Sequence, residues 1–135
     1  MIDDVAFPAI VVGAGHRAVV AGFSLSSEPD VGALLSCLAA AVPAHGRILE
    51  LGTGAGSGLA WLVHGLGQRV DIELITIDVD QALQAQTRQA DWPPYVRFEL
   101  GDGASLLPTL GTFDLIFADA PGGNTVGLDG TIAAL

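Results

Sequence analysis

Arg47-Ile48-Leu49-Glu50-Leu51-Gly52-Thr53-Gly54-Ala55-Gly56-Ser57-Gly58 decides the fold, because an apolar run breaks there into glycine at every second position. A buried strand ends and a tight loop begins. Residues without a Cβ adopt open dihedrals and let backbone approach a ligand, and the following helix offers unpaired N–H donors. That helix is expected to start near Ser57 and to run through Leu59, Ala60, Trp61, Leu62 and Val63. Strand, glycine loop and helix in this order are the first unit of a nucleotide-type α/β fold.

Downstream, the same alternation continues. A second strand is expected at Ile72–Ile77, ending in Asp78-Val79-Asp80, then a covering helix from about Gln81 to Ala90 that Pro93-Pro94 breaks. A third strand, Val96–Leu100, suits a sheet edge. A short helix at Ala104–Leu107 leads through Pro108 and Gly111 to a fourth strand, Phe113–Ala118, then a loop at 121–124 and a helix from Leu128. Right-handed crossovers give a parallel sheet with helices on both faces and strand order 3-2-1-4. This order leaves the apolar fourth strand open on one side. The expectation is that the sequence is a fragment whose continuation covers this edge, or that another chain such as a homodimer partner does.

Upstream, residues 24–135 are expected to form the cofactor-binding part of the domain, and residues 1–23 have no assigned structure. Gly13-Ala14-Gly15-His16 imitates a glycine turn but lacks the strand context, so a plain turn is expected. Ser27 is the expected helix cap and Pro29 suits the first turn. The helix should pack through Val31, Leu34, Leu35, Leu38 and Ala39. Cys37, alone on that helix, is expected to be a small buried hydrophobe in a reducing, cytoplasmic compartment. His45 reads as an exposed loop residue and His64 as favouring a helix C-terminus.

Five cationic residues against fifteen acidic ones give a formal charge of -10, which repels nucleic acid and acidic membranes. Neither a secretion signal nor a membrane span is expected. The glycine spacing separates two cofactor classes. A dinucleotide fingerprint beginning at Gly52 needs glycine at position 57, where this chain has Ser57. Glu50 adds a negative charge under the loop, repelling a pyrophosphate and favouring a ligand with a cationic end.

Leu49–Gly58 resembles the first motif of class I S-adenosylmethionine-dependent methyltransferases. The whole pattern resembles the small bacterial O-methyltransferases related to the catechol and caffeoyl-CoA enzymes. Gly22-Phe23-Ser24 with Glu28, Asp78, Gly101-Asp102-Gly103 and Phe113–Ala120 follow in order. The resemblance implies S-adenosylmethionine as cofactor, a small-molecule methyl acceptor, and truncation of this sequence before strands 5 to 7 of the family's sheet. It places Glu50, Gly52, Thr53, Gly54 and Gly56 around the amino-acid portion of the cofactor. Asp78, with Val79 beside it, takes the ribose hydroxyls. Asp102, with Gly103 and Ala104, lies beside the adenine, although Asp102 also reads as an ordinary turn residue. Asp119 lies at the transfer point, both as a cofactor contact and as the catalytic residue. Ser27 and Glu28 resemble a segment that closes over the methionine end.

Two departures limit what the resemblance implies. Relatives often carry a lysine after the fourth strand that helps to deprotonate the acceptor, and here Asn124 stands at that position and Pro121 at an aromatic one. Asn takes no proton at neutral pH. In the metal-dependent branch Asp119 is one ligand of a divalent cation such as magnesium. Its partners would lie on the fifth-strand region, so no metal site is expected from the residues present, and a divalent cation remains an alternative for the complete protein. A cofactor-binding homologue with no transfer activity, methylation at N or C, and an NAD-binding oxidoreductase remain as alternatives.

Overall fold

β1 (Arg47–Leu51) is the middle of a parallel sheet ordered β3-β2-β1-β4, built with β2 (Glu73–Asp78), β3 (Val96–Leu100) and β4 (Leu115–Ala118). The computed structural model describes residues 6–135. Alternation along β1 and β2 feeds two cores. Ile48 and Leu74 face one side with Leu59, Leu62 and Leu66, whereas Leu49, Leu51, Ile75 and Ile77 face the other with Leu107 and Phe113. Strands buried on both faces read as continuous apolar runs, which is why these two carry no charge except Glu50 between their flanking residues. β4 has no partner on its outer side among the described residues, as its position in the expected order required.

The helices α1 (Ala9–Ala21), α2 (Pro29–Ala40), α3 (Ser57–Leu66) and α4 (Gln81–Arg88) lie on the first face. On the second lie α5 (Gly103–Leu110), the irregular turn α6 (Pro121–Asn124) and α7 (Leu128–Ala133).

Four expectations are corrected. Gly13–His16 is not a turn but the middle of α1, which buries Ala14 and Ala18 one above the other and ends at Gly22, φ +64°. The Gly22 and Phe23 amides close back onto Val19 and Ala18, a Schellman-type stop. Glu28, not Ser27, occupies the position before α2, with no side-chain cap. Pro108 lies within α5 rather than ending it. The packing face of α2 is Gly32, Leu35 and Ala39, so Val31, Leu34, Leu38 and Cys37 are exposed.

The rotation of α2 has a local cause. A Cβ at Gly32 would lie 2.1 Å from Trp61 Nε1, and one at Gly65 would lie 2.2 Å from the backbone oxygen of Ser36. The two helices therefore touch through glycines, and Ser36 Oγ donates to the Trp61 carbonyl at 2.7 Å. Only the Gly32–Leu35–Ala39 stripe brings them this close.

Gly65→Ala separates propensity from packing. Helix propensity alone gives a gain of about 1 kcal/mol, whereas the backbone clash gives a net loss of about 2 kcal/mol. Urea unfolding of the variant is expected to show the loss, and a gain would show that α2 and α3 are not in close contact.

Candidate functional site

A cleft of about 840 Å³ opens beyond the C-terminal ends of the strands, where the order reverses between β1 and β4. Its walls are the glycine turn after β1, Asp78-Val79 after β2, Gly101-Asp102-Gly103 after β3, Asp119–Gly122 after β4, and the segment Phe23–Glu28. Thus Gly52, Thr53, Gly54, Asp78, Val79, Asp102, Gly103 and Asp119 are brought together. Glu50, Gly56 and Ala104 do not line the cleft.

The turn is tied to β2. Gly52 and Thr53 N–H donate to the Ile77 carbonyl at 2.8 and 3.2 Å, Gly54 N–H to Asp78 Oδ2 at 2.7 Å, and Gly56 N–H to the Thr53 carbonyl at 2.9 Å. Most loop amides are therefore committed inside the protein. Gly52 holds φ +104°, and a Cβ there would lie 3.0 Å from the Asp119 carbonyl, so the first turn meets the end of β4 backbone to backbone.

Each carboxylate has a distinct environment. Asp78 accepts from Gly54 on Oδ2 and from the Asp80 N–H on Oδ1 at 2.9 Å, which leaves further lone pairs on both oxygens. Asp80 itself caps α4 by accepting from Leu83 N–H. Asp102 caps α5: its Oδ2 accepts from the Ser105 N–H at 2.9 Å and hydroxyl at 2.8 Å. Its Oδ1 faces Gly122, where a Cβ would approach to 2.2 Å. The turn-residue role of Asp102 is thus real, and one oxygen remains over. Desolvation raises the Asp119 carboxyl above the ordinary aspartate value.

Glu50 is fully buried beneath this rim. Its Oε2 accepts from Thr76 Oγ1 at 2.6 Å, and Thr76 Oγ1 is 2.7 Å from Thr53 Oγ1. Since Thr76 has one proton and gives it to Glu50, Thr53 is the donor in the second bond. Glu50 Oε1 has no partner among the described residues and lies 2.5 Å from where a Cβ of Gly58 would be. Burial pushes the carboxyl up from 4.5 to about 8. The Thr76 bond and, more weakly, the approach of the Leu59 amide pull it partly back, and Asp119 and Asp78 push it further up. At neutral pH Glu50 is therefore mostly a neutral acid.

Asn124 Nδ2 donates to the Ala118 carbonyl at 2.9 Å, holding α6 to the end of β4. His45, at φ +58°, and His64, in the last turn of α3, both lie outside the cleft. Among the described residues no three His, Cys, Asp or Glu side chains converge as a metal site. Asp119 alone does not fit a divalent cation, which needs several oxygen ligands.

The residues that sequence reading missed are Phe23, Phe117, Thr76 and Thr87. A Cβ on Gly54 would strike the Phe23 ring at 2.7 Å, and Phe117 forms part of the cleft wall. Thr76 carried a signal, being the polar residue inside Leu74-Ile75-Thr76-Ile77 and opposite Glu50 in register.

The methyltransferase-domain family matches residues 49–127 of the chain. A protein of Mycobacterium sp. (strain KMS) described as an O-methyltransferase is 40% identical over 119 residues, which are 83% of this chain and 52% of that protein. The probable O-methyltransferase Rv1220c of Mycobacterium tuberculosis H37Rv is 36% identical over 118 residues, 82% of this chain and 51% of that one. The chain thus spans about half the length of the curated relatives it matches. Among solved structures, the O-methyltransferase from Bacillus cereus in complex with SAH superposes with a TM-score of 0.82 at 20% identity, over 98% of this chain and 64% of that one. Cofactor-bound Rv0187 from MTB gives 0.81 at 26% identity, over 98% and 63%.

The ionisation of Glu50 has a measurable consequence. The carboxyl ionises near 4.5 in the unfolded chain and only near 8 in the folded one. Its contribution is therefore most favourable below pH 4.5 and is lost as pH rises toward 8. Glu50→Gln, an isostere of the neutral acid, is expected to stabilise the ligand-free protein by about 4 kcal/mol at pH 8. It should change little at pH 5. Urea melts at the two pH values test this, and a variant less stable than wild type at pH 8 would show that Glu50 is ionised in the fold.

Proposed function

The chain belongs to the methyltransferase-domain family, and on that premise we propose that it binds S-adenosylmethionine in the cleft and transfers the methyl group to a hydroxyl oxygen of a small, catechol-like acceptor. The observation that carries this reading is the convergence of Asp78, Asp102 and Asp119 with the glycine turn on one cleft. The volume suits a nucleoside-sized ligand. The donor set suits its chemistry: acceptor-only carboxylates for a ribose diol and an exocyclic amine, and an acidic rim for a cation.

When bound, the cofactor supplies an already activated methyl group, so the protein's share of the work is positioning. Asp78 offers the spare lone pairs of both oxygens to the two ribose hydroxyls while it braces the turn through Gly54. Asp102 offers Oδ1 to the adenine amine, with Gly103 and Ala104 behind it. Glu50 lies under the turn, out of ligand contact, where its mostly neutral carboxyl ties β1 to β2 through Thr76, and the charge that answers the cationic end of the cofactor is that of the rim aspartates. Asp119 stands at the end of β4 beside the acceptor. Its place at the strand end beside the transfer point makes it the proposed proton acceptor, and desolvation raises its carboxyl above the ordinary aspartate value. Residues 24–135 hold the cofactor half of this activity. Among the described residues no metal site is built, so these roles are assigned without one.

Further parts of the proposal rest on composition and surface. The charge of -10 argues against nucleic acid as substrate. Among the described residues no helix is long and apolar enough to cross a membrane. The exposed Val31, Leu34 and Leu38 stripe supports a homodimer, and the single cysteine supports a reducing, cytoplasmic setting.

A second reading, a homologue that binds cofactor without transfer, is favoured by Asn124, whose amide is engaged with Ala118 and supplies no base. Calorimetry and a transfer assay separate the readings. S-adenosylmethionine and S-adenosylhomocysteine are expected to bind with micromolar Kd, and NAD is expected not to compete. Asp78→Ala should weaken binding about thirtyfold. Methyl ethers detected by mass with a panel of catechols support transfer, binding without product supports the second reading, and no saturation at millimolar ligand defeats both.

A further inference from the structure

Two consecutive carbonyls of the glycine turn are gripped from behind, on the side away from the cleft. Thr87 of α4 is fully buried, and its hydroxyl donates to the Gly54 carbonyl at 2.8 Å. Arg17 of α1 donates from Nε to the Ala55 carbonyl at 3.1 Å, with its guanidinium 5.3 Å from the centre of the Trp92 ring. Trp92 Nε1 in turn donates to the Thr87 carbonyl at 2.8 Å. Trp92 and Thr87 also back Gly56, whose Cβ would meet them at 3.1 and 2.8 Å.

The peptide bonds of the turn are trans, and a trans peptide is planar with its C=O and N–H antiparallel. Holding the Gly54 oxygen on Thr87 therefore turns the Ala55 N–H the opposite way, and Ala55 lines the cleft. The amides of Gly52, Thr53, Gly54 and Gly56 are already taken. The Ala55 amide is the turn's donor with no acceptor among the described residues. The other walls of the cleft carry Glu28, Asp78, Asp102 and Asp119, so a ligand's negative charge is best placed at this amide and the nearby first turn of α3.

We infer that Thr87 and Arg17 are positioning residues that aim the Ala55 N–H at the amino-acid carboxylate of the bound cofactor. Neither touches the ligand. The inference rests on the proposed cofactor site and adds the device that presets its anion-binding end. It also makes the docking of α1 and α4 part of the binding geometry, although both helices lie behind the turn.

The test compares S-adenosylhomocysteine with 5′-methylthioadenosine, which keeps the nucleoside and thioether but lacks the amino-acid carboxylate. Wild type, Thr87→Val, Thr87→Ser and Arg17→Gln are titrated by calorimetry, after thermal melts establish that each is folded at the assay temperature. Thr87→Val is expected to weaken S-adenosylhomocysteine about tenfold and to leave 5′-methylthioadenosine within about twofold, and Thr87→Ser to restore wild-type affinity. Arg17→Gln is expected to show the same selective loss. It carries the comparison where Thr87→Val is unfolded. Equal loss for both ligands would reduce the two residues to structural supports and overturn the inference. Unchanged binding in folded Thr87→Val and Arg17→Gln would overturn it alone, whereas no S-adenosylhomocysteine binding by wild type removes the cofactor reading with it.

Discussion

The bond from the Gly54 amide to Asp78 is the constraint on which the rest of the site depends. It joins the first turn of the fold to the end of the neighbouring strand. Its 2.7 Å length and ionised acceptor make it stronger than a neutral backbone bond. With Gly52 and Thr53 also bonded to Ile77, the turn behaves as an extension of the sheet rather than as a free loop. A rigid turn costs little further ordering when a ligand arrives, which is where preorganisation adds affinity. The glycines matter for how closely they let strands, rings and carbonyls approach the turn, more than for the number of amides they free.

The electrostatics of the rim follow from the same geometry. Asp78, Asp102 and Asp119 face one cleft, and Glu50 lies sealed beneath it without a compensating cation among the described residues. The protein tolerates this arrangement because Glu50 is held mostly neutral by burial and by its neighbours' charge, with Thr76 and Thr53 satisfying one side of it. A cationic ligand relieves the rim, and an anionic pyrophosphate would aggravate it. The charge pattern thus argues against a dinucleotide, as Ser57 does in the sequence.

Much of this could be read from the chain. β1 and β2 announced themselves because both their faces are buried, and Asp78 because an acid at the end of such a strand faces the site while Asp80 takes the cap. α1 was hidden because Gly13 and Gly15 weaken its helical signal, although Ala14, Ala18 and the stop at Gly22 carried one. The orientation of α2 was unreadable for a different reason. Val31, Leu34 and Leu38 are the larger apolar residues, but Gly32 and Gly65 permit a closer contact through Trp61 and Ser36, and tertiary packing overrides the local pattern. Thr87 and Arg17 left no trace in sequence, since each acts through a carbonyl of a residue far away along the chain.

A crystal structure with S-adenosylhomocysteine bound tests the central claim most directly. The account predicts both ribose hydroxyls on Asp78, the adenine amine beside Asp102, and the amino-acid carboxylate on the Ala55 amide, with Glu50 out of ligand contact. A nucleoside seated elsewhere, or one that leaves Asp78 without a ribose contact, would contradict it.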